Sequence, residues 1–398
     1  MAETEVVIYY GPPSWFHEQV GEAKTKNFVE LMMKSDEERR QLTVHVPGAD
    51  VAAEPAAKPP RRVVVESSDF ASLNEHVIAN FAQHVRNVHP KQLLVNNPPS
   101  QVHEQLNRAY KKATNVERYK YPTFTIETLL RFRDGFADHL IGQHRVRETV
   151  LAAMYPLAQP RRTRPVVLML YGPSGVGKTQ TAQFINSLLG GTLLRKQFSM
   201  YHSEKFTSYL FGGSHSEPSL AHDLLDRESG VILIDEFDKA NPVFHSAFYE
   251  LFDTGEFVDK NYSVRLGPCL IICTSNYESE DGVRHALGDA LFSRFDALIE
   301  FEPLSPAETL QVIERIVDDR LTQMTVDERP HIDRTDLIAR FQVLADHSSN
   351  VRTLGKTIDT TMSILLVRAA LSARDLNGAH CAAEDQADVG PEGGAPGR

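Results

Sequence analysis

The sequence predicts an α/β protein: a parallel sheet with helices on both faces, a helical segment after it and a smaller α/β domain before it. Three observations carry this. Strand-like apolar runs at residues 166–171, 193–198, 231–234, 270–274 and 298–301 alternate with helical stretches, the pattern of a parallel sheet covered on both faces. A glycine-rich loop at residues 172–179 joins the first run to the helix-like QTAQFINSLL. Beyond Pro303 only helical periodicity remains: Pro306 and Glu308 open a helix with Leu310, Ile313, Val317 and Leu321 on one face, and further helices are expected around residues 337–344 and 354–366.

The preceding domain is read from apolar runs at residues 6–10, 63–65 and 93–95, which look like short buried strands. After Ser72, the residues Leu73, Val77, Ile78, Phe81, Val85 and Val88 recur at helical spacing, so one helix with an apolar face is expected there. Between these lies PGADVAAEPAAKPPRR, residues 47–62, whose Pro and Ala leave little to bury and which reads as a long surface loop. The boundaries that follow are residues 1–121 for the small domain, 122–304 for the sheet domain, 305–376 for the helical segment and 377–398 for a disordered tail. The tail is assigned on its Ala, Gly, Pro and acidic composition.

Composition narrows the class. At 398 residues, 41% of them hydrophobic and 24% charged, the chain has enough apolar content for more than one core. The three cysteines, Cys269, Cys273 and Cys381, are too few for a disulfide framework or a four-cysteine zinc site, which fits a reducing cytoplasm. No stretch of about 18 apolar residues occurs, and the N-terminus lacks a basic segment followed by an apolar core. A cytoplasmic protein with no membrane partner is expected. The net charge of -11 speaks against nucleic acid as a partner, and the local basic group Lys111, Lys112, Arg118 and Lys120 is read as a solvated helix end.

The chemistry sits in two motifs. Gly172-Pro173-Ser174-Gly175-Val176-Gly177-Lys178-Thr179 follows a strand and precedes a helix, the context a Walker A loop requires. Its glycines let backbone amides face a β-phosphate, Lys178 adds charge on the β and γ oxygens, and Thr179 offers a hydroxyl to Mg2+. About 60 residues on, the run VILI ends in Asp235-Glu236. Ligands of open α/β sheets collect at the C-terminal ends of the strands, so these carboxylates belong beside the loop: Asp235 for the Mg2+ shell, Glu236 to orient and polarise an attacking water. An acidic pair at a strand end also serves as a helix cap, and it is the loop that favours the catalytic reading.

With these residues in view, the chain resembles a AAA+ ATPase of the Clp type over about residues 122–372, whose fold is a P-loop NTPase AAA+ parallel sheet flanked by helices and followed by a helical lid. The run IDEFDKANPVFHSAFYELFDTGEFVD is similar to the family's Walker B stretch. His139-Leu140-Ile141-Gly142-Gln143 resembles its Gly-Gln box, so Leu140 and Ile141 are implied as the adenine pocket, with a core role for either left open. Thr274-Ser275-Asn276 is similar to sensor 1, and Asn276 is implied in placing the water or γ-phosphate. Leu291-Phe292-Ser293-Arg294-Phe295-Asp296 resembles the arginine-finger box, making Arg294 the residue that reaches the neighbouring subunit's γ-phosphate. Asn350-Val351-Arg352 is similar to sensor 2, with Arg352 acting in cis, although Asn350 stands where the family has glycine.

The resemblance implies a Mg2+-dependent ATPase that forms a homo-oligomeric ring, a hexamer in this family, and remodels protein, with the first domain choosing the target. Two features depart from Clp unfoldases. The interval before Walker B, FSMYHSEKFTSYLFGGSHSEPSLAHDLLDRESG, has no Gly-aromatic-Val-Gly pore loop; Tyr209 and Phe211 could substitute, but buried packing is the reading preferred for both. No Ile-Gly-Phe peptide of the kind that docks the ClpP peptidase occurs, so that partnership is not expected. A nucleotide-controlled switch or scaffold, in a signalling or defence assembly, and a DNA-handling ATPase are the alternatives.

Overall fold

The computed structural model describes residues 4–42, 59–200, 203–345 and 350–387. They fall into two compact units. One comprises residues up to Leu140, His144–Gly172 and Lys178–Phe301; the other comprises Ile141–Gln143, Pro173–Gly177 and the residues from Glu302 onward.

The first unit holds two five-stranded parallel sheets. The N-terminal sheet is built from β1 (Glu5–Tyr10), β2 (Lys26–Asn27), β3 (Arg62–Val65), β4 (Gln92–Asn96) and β5 (Thr114–Arg118), in the spatial order β2-β3-β4-β1-β5. The second uses β6 (Val166–Tyr171), β7 (Leu194–Gln197), β8 (Val231–Asp235), β11 (Leu270–Thr274) and β12 (Ala297–Glu300), in the order β12-β6-β11-β8-β7. A small antiparallel hairpin, β9 (Glu256–Val258) and β10 (Ser263–Arg265), stands apart. The central strands β6, β8 and β11 are buried at every position, which is why each reads as an unbroken apolar run. The edge strand β7, sequence LRKQ, is only partly covered, and its charges suit an edge.

Helix Lys178–Leu189 buries Ala182, Phe184 and Ile185. The other face of the second sheet carries an aromatic cluster centred on Phe237, whose ring meets Phe198, Phe248, Phe252 and Phe295 at 5.2–6.3 Å between centroids. Tyr209 is buried at 2% exposure and its hydroxyl donates to Asp223 at 2.7 Å, as the packing reading expects. Phe211 departs from it: 44% exposed, it flanks Phe244 at 6.3 Å, because at the end of its helix it points off the face that buries Phe206, Tyr209 and Leu210.

The single helix expected after Ser72 is instead two, Glu75–Ala79 and Phe81–Val88, broken at Asn80. Asn80 leaves helical geometry, and its side-chain amide donates to the His76 carbonyl, competing with the backbone ladder. The apolar residues Val77, Ile78, Phe81 and Val85 are nonetheless all buried. The basic group is not one helix end: Lys111 and Lys112 follow the helix Ser100–Ala109, whereas Arg118 closes β5 and lies 4.7 Å over the Tyr10 ring. Of the expected loop at 47–62, residues 47–58 lie outside the described residues.

The second unit is helical from Pro306. Helix Pro306–Gln323 starts with a capping box in which Ser305 and Glu308 exchange bonds, and it buries Thr309, Val312, Ile313 and Val317, a stripe offset from the expected one: Leu310 and Leu321 are only half-buried. It packs with Arg334–Ala345 and Val351–Ala387 around Ile313, Val317, Leu337, Phe341, Leu354 and Ile358. The last helix corrects the disordered tail drawn at 377: it runs to Ala387, because ALSARDLNGAHCAAEDQA is rich in alanine and other good helix formers. Residues 388–398 lie outside those described.

Phe237→Ala should lower the stability of the first unit by about 3–5 kcal/mol, since it empties the middle of a fully packed ring cluster. The urea midpoint reads this, and Phe211→Ala, on the exposed side, should move it by roughly 1 kcal/mol or less.

Candidate functional site

In the first unit the site forms at the C-terminal ends of β6, β8 and β11. The strand β6 stops at Tyr171, and Gly172 turns away with φ 127°. A Cβ there would lie 2.2 Å from the Phe301 carbonyl oxygen, so only glycine fits. The helix that follows opens on Lys178, whose Nζ donates to the Gly172 carbonyl at 2.6 Å and to Asn276 Oδ1 at 3.3 Å. Lys178 is 7% exposed, and burial pulls its ammonium down to about 8, against the opposing pull of Asp235 and Asp238. An anion held beside it would pull that value back up.

Asp235 ends β8 at 6% exposure and is the most connected group of the site. Its Oδ1 accepts from the Thr274 hydroxyl at 2.5 Å, and Thr179 Oγ1 approaches both carboxylate oxygens at 3.4–3.5 Å. Its Oδ2 accepts from Arg195 Nε at 3.1 Å and Nη2 at 2.5 Å. Thr274 also accepts from the Glu236 backbone N–H at 2.9 Å, so one hydroxyl links both acidic residues to β11. Glu236 itself adopts a left-handed conformation, φ 55° and ψ 45°, an unfavourable setting for a residue with a side chain. Gln197, at the end of β7, donates to Glu236 Oε2 at 3.1 Å.

The sequence thus brings Gly172, Lys178, Thr179, Asp235, Glu236 and Asn276 to one edge of the sheet. It missed Arg195 and Gln197, and it named Thr274 only as part of a motif. The signal for the first two lay in strand register, which sets Gln197 opposite Asp235 across the β7–β8 pair.

Arg294 sits at the end of helix Glu280–Phe292. Its Nε pairs with Asp253 at 2.9 Å, its Nη1 donates to the Ala290 carbonyl, and its guanidinium covers the Tyr249 ring at 4.3 Å. None of its hydrogen bonds goes to Lys178, Asp235 or Glu236. Leu140 is buried beyond the end of helix Ile126–His139.

In the second unit, the loop residues Pro173, Ser174, Gly175, Val176 and Gly177 pack with the start of the last helix. Val351 N donates to the Gly175 carbonyl at 3.3 Å, and a Cβ on Gly175, where φ is 85°, would meet Asn350 Oδ1 at 2.3 Å. Asn350 caps this helix by accepting from the backbone of Arg352 and Thr353. That accounts for asparagine at a position where glycine was expected. The Arg352 side chain is exposed. Ile141 is half-buried, Gly142 and Gln143 are left-handed, and Gln143 Nε2 donates to the Glu302 carbonyl at 2.7 Å.

Residues 164–329 match the AAA domain (Cdc48 subfamily). The chain is 29% identical over 265 residues to the ClpA homolog protein of Fuscovulum blasticum, covering 58% of this chain and 33% of that protein. It is 30% identical over 237 residues to chaperone protein ClpB of Tropheryma whipplei, covering 50% and 34%. The chain carries a Clp-type AAA+ domain. It spans about a third of the length of the curated relatives it matches. A closed-state cryo-EM reconstruction of Hsp104 with ATPγS and FITC-casein shares the fold: TM-score 0.51, 18% identity, 78% of this chain and 62% of that one.

The AAA+ site has the donor set for Mg2+. The ion favours oxygen ligands and takes one or two carboxylates with substrate phosphates and waters; Thr179 and Asp235 supply a hydroxyl and a carboxylate within 3.5 Å of each other. Arg195 now balances the charge of Asp235.

Thr274→Val should cost about 1–3 kcal/mol of stability, because it strips a hydrogen bond from a buried carboxylate and an acceptor from the Glu236 amide. Thr274→Ser should restore most of it, and comparing the two urea midpoints checks the assignment.

Proposed function

We propose that this chain is a Mg2+-dependent ATPase that works as a ring-forming oligomer and remodels protein. The observation that supports it most is the joint placement of Lys178, Thr179, Asp235, Glu236 and Asn276 at one sheet edge, with Gly172 free of any side chain beside them.

In the proposed reaction Lys178 and the amides of the loop hold the β- and γ-phosphates, while Leu140 and Ile141 take the adenine. Thr179 and Asp235 hold Mg2+, which neutralises charge on the phosphates. Glu236 turns the attacking water and accepts its proton, and Asn276 sets the line of attack. Gln197, which donates to Glu236 Oε2, orients the carboxylate and leaves Oε1 to the water. Arg352 contacts the nucleotide of its own subunit and Arg294 that of its neighbour. Arg294 suits that task because its Nη2 carries no hydrogen bond among the described residues while Asp253 and Tyr249 fix the rest of the fork. A finger supplied in trans makes head-to-tail contacts, and such contacts form a ring when the rotation between subunits closes.

A second reading, a nucleotide-timed switch or scaffold without threading, is favoured by the buried Tyr209 and by the lack of a pore tetrapeptide. Of Tyr209 and Phe211, only Phe211 is exposed and able to grip a chain on the threading reading. Phe211→Ala with unchanged remodelling of an unfolded test protein would support the switch.

Glu236→Gln should keep ATP affinity and lose turnover by about 100-fold or more, read as phosphate release against binding of a fluorescent ATP analogue. Normal phosphate release would remove Glu236 from the mechanism. Arg294→Ala should also abolish hydrolysis with little change in affinity. Mixing it with Lys178→Ala subunits should recover part of the activity, and no recovery at any ratio would place the arginine outside a neighbour's site.

A further inference from the structure

The two parallel sheets of the first unit have the same strand order. Counted along the chain within each sheet, both run fifth, first, fourth, third, second: β5-β1-β4-β3-β2 and β12-β6-β11-β8-β7. Their registers also correspond. Tyr9 lies opposite Asn96 as Leu170 lies opposite Thr274, and Val65 lies opposite Val95 as Ile234 lies opposite Cys273. On the same correspondence Gly11 takes the place of Gly172, two residues on, Glu66 that of Asp235 and Asn96 that of Thr274. Both first strands end in the same tripeptide, Tyr10-Gly11-Pro12 and Tyr171-Gly172-Pro173.

The likeness stops where the phosphate chemistry begins. After β1 the helix starts at Pro13, directly behind the tripeptide, so the residues corresponding to 174–177 are missing and Pro13 and Ser14 stand where Lys178 and Thr179 open the other helix, with no lysine for a phosphate. Side chains close the space instead: a Cβ on Gly11 would lie 2.3 Å from Tyr119 and 2.9 Å from Trp15, and those two rings meet tilted at 5.5 Å between centroids.

What meets this edge is the ATPase domain's own segment between β7 and β8. Asp226, at the end of helix Leu220–Asp226, places Oδ1 2.7 Å from the Ser67 hydroxyl and 2.6 Å from Asn97 Nδ2, both of which donate to it. Ser67 follows Glu66 just beyond β3, and Asn97 follows β4; Asn97 also braces Gly11 through both its amide atoms, at 3.0 and 2.8 Å. Two residues further on, Glu228 accepts from Ser14 at 2.8 Å. Between them Arg227 covers the Tyr121 ring at 3.7 Å. A carboxylate therefore sits where an open α/β sheet takes its ligand.

We propose that residues 4–121 are a second phosphate-loop-type sheet that has lost its nucleotide chemistry, and that its ligand edge takes the Asp226 carboxylate in place of a phosphate. The small domain thereby clamps the segment 220–228, which leads through Ser229 into β8 and Asp235. The phosphate ancestry leans on the nucleotide reading of the second sheet; the clamp stands on its own contacts.

The test is backbone hydrogen exchange on the full chain without nucleotide. In Ser67→Ala/Asn97→Ala the amides of residues 220–226 should exchange about tenfold faster or more, while those of β6 and β11 hold. Unchanged rates at 220–226 overturn the clamp. Should the double variant lose β1 as well, Ser67→Ala alone, which leaves Asn97 on Gly11, must still speed 220–226, or the clamp fails. Binding of ATPγS to the Lys178→Ala protein reads the other half. None is expected, and one nucleotide per chain surviving there overturns the loss of nucleotide chemistry. A wild-type protein that takes up no ATPγS would sink the proposed ATPase and leave the clamp to the exchange result.

Discussion

A buried carboxylate at the end of a parallel strand constrains everything around it. Asp235 is nearly out of solvent, and a charge in that position is tolerated only when bonded on several sides. The fold supplies those bonds from three different elements: Thr274 from β11, Arg195 from β7 and Thr179 from the helix after the loop. Each demand fixes a neighbour. Thr274, because it also accepts from the Glu236 amide, helps hold the left-handed turn that carries the second acid. Arg195, itself still 40% exposed, reaches across from the edge strand to pair with Asp235. Arg195 supplies the positive charge that Asp235 needs, and Lys178 donates to the Gly172 carbonyl and to the Asn276 side-chain oxygen. Lys178 shows the cost of burial, which pulls its ammonium down although Asp235 and Asp238 pull the other way.

How far the sequence discloses this depends on whether the information is local. The strands β6, β8 and β11 are buried on both faces, so hydrophobicity alone marks them. The loop at 172–179 and the pair Asp235-Glu236 are contiguous, and their meaning follows from their strand and helix context. Arg195 and Gln197 are different. Nothing in LRKQ distinguishes an edge strand from a polar turn, and only pairing with β8 brings these side chains to the acids. The two-residue β2 and the mostly exposed β5 leave no alternation to detect. At the other end of the chain composition misled: alanine-rich sequence with scattered acids has the makeup of a tail, yet its helix propensity carries Val351–Ala387 past residue 377.

The small N-terminal domain was illegible for a related reason. A phosphate-binding loop is recognised by its glycines and lysine, and a domain without them keeps only its hydrophobic pattern, which is common to every α/β sheet. Strand order and register are what persist, and both are properties of the folded chain. The edge that once had to stay open for a ligand is filled by Trp15 and Tyr119, so the ring pair does for Gly11 what a bound group does for Gly172 in an active copy: it covers the end of the central strand.

Two carboxylates, Asp235 and Asp226, therefore bracket one short stretch of chain. Between them lie the turn at residues 227–230 and the strand β8, which is inextensible because every position is buried and both its neighbours are hydrogen-bonded to it. Asp226 is held by hydroxyl and amide donors whose strength does not depend on nucleotide, and burial raises its pKa, which the bonds from Ser67 and Asn97 and the charge of His222 counter. Asp235 is held by groups that a triphosphate and its counter-ion would compete for. If the proposed clamp holds, the entry of this strand is fixed by the small domain and its exit is the end that nucleotide can rearrange. On this geometry the N-terminal sheet is the fixed end of the device, and the segment that can respond to nucleotide is the turn after β8, where Phe237–Lys239 leaves the strained Glu236.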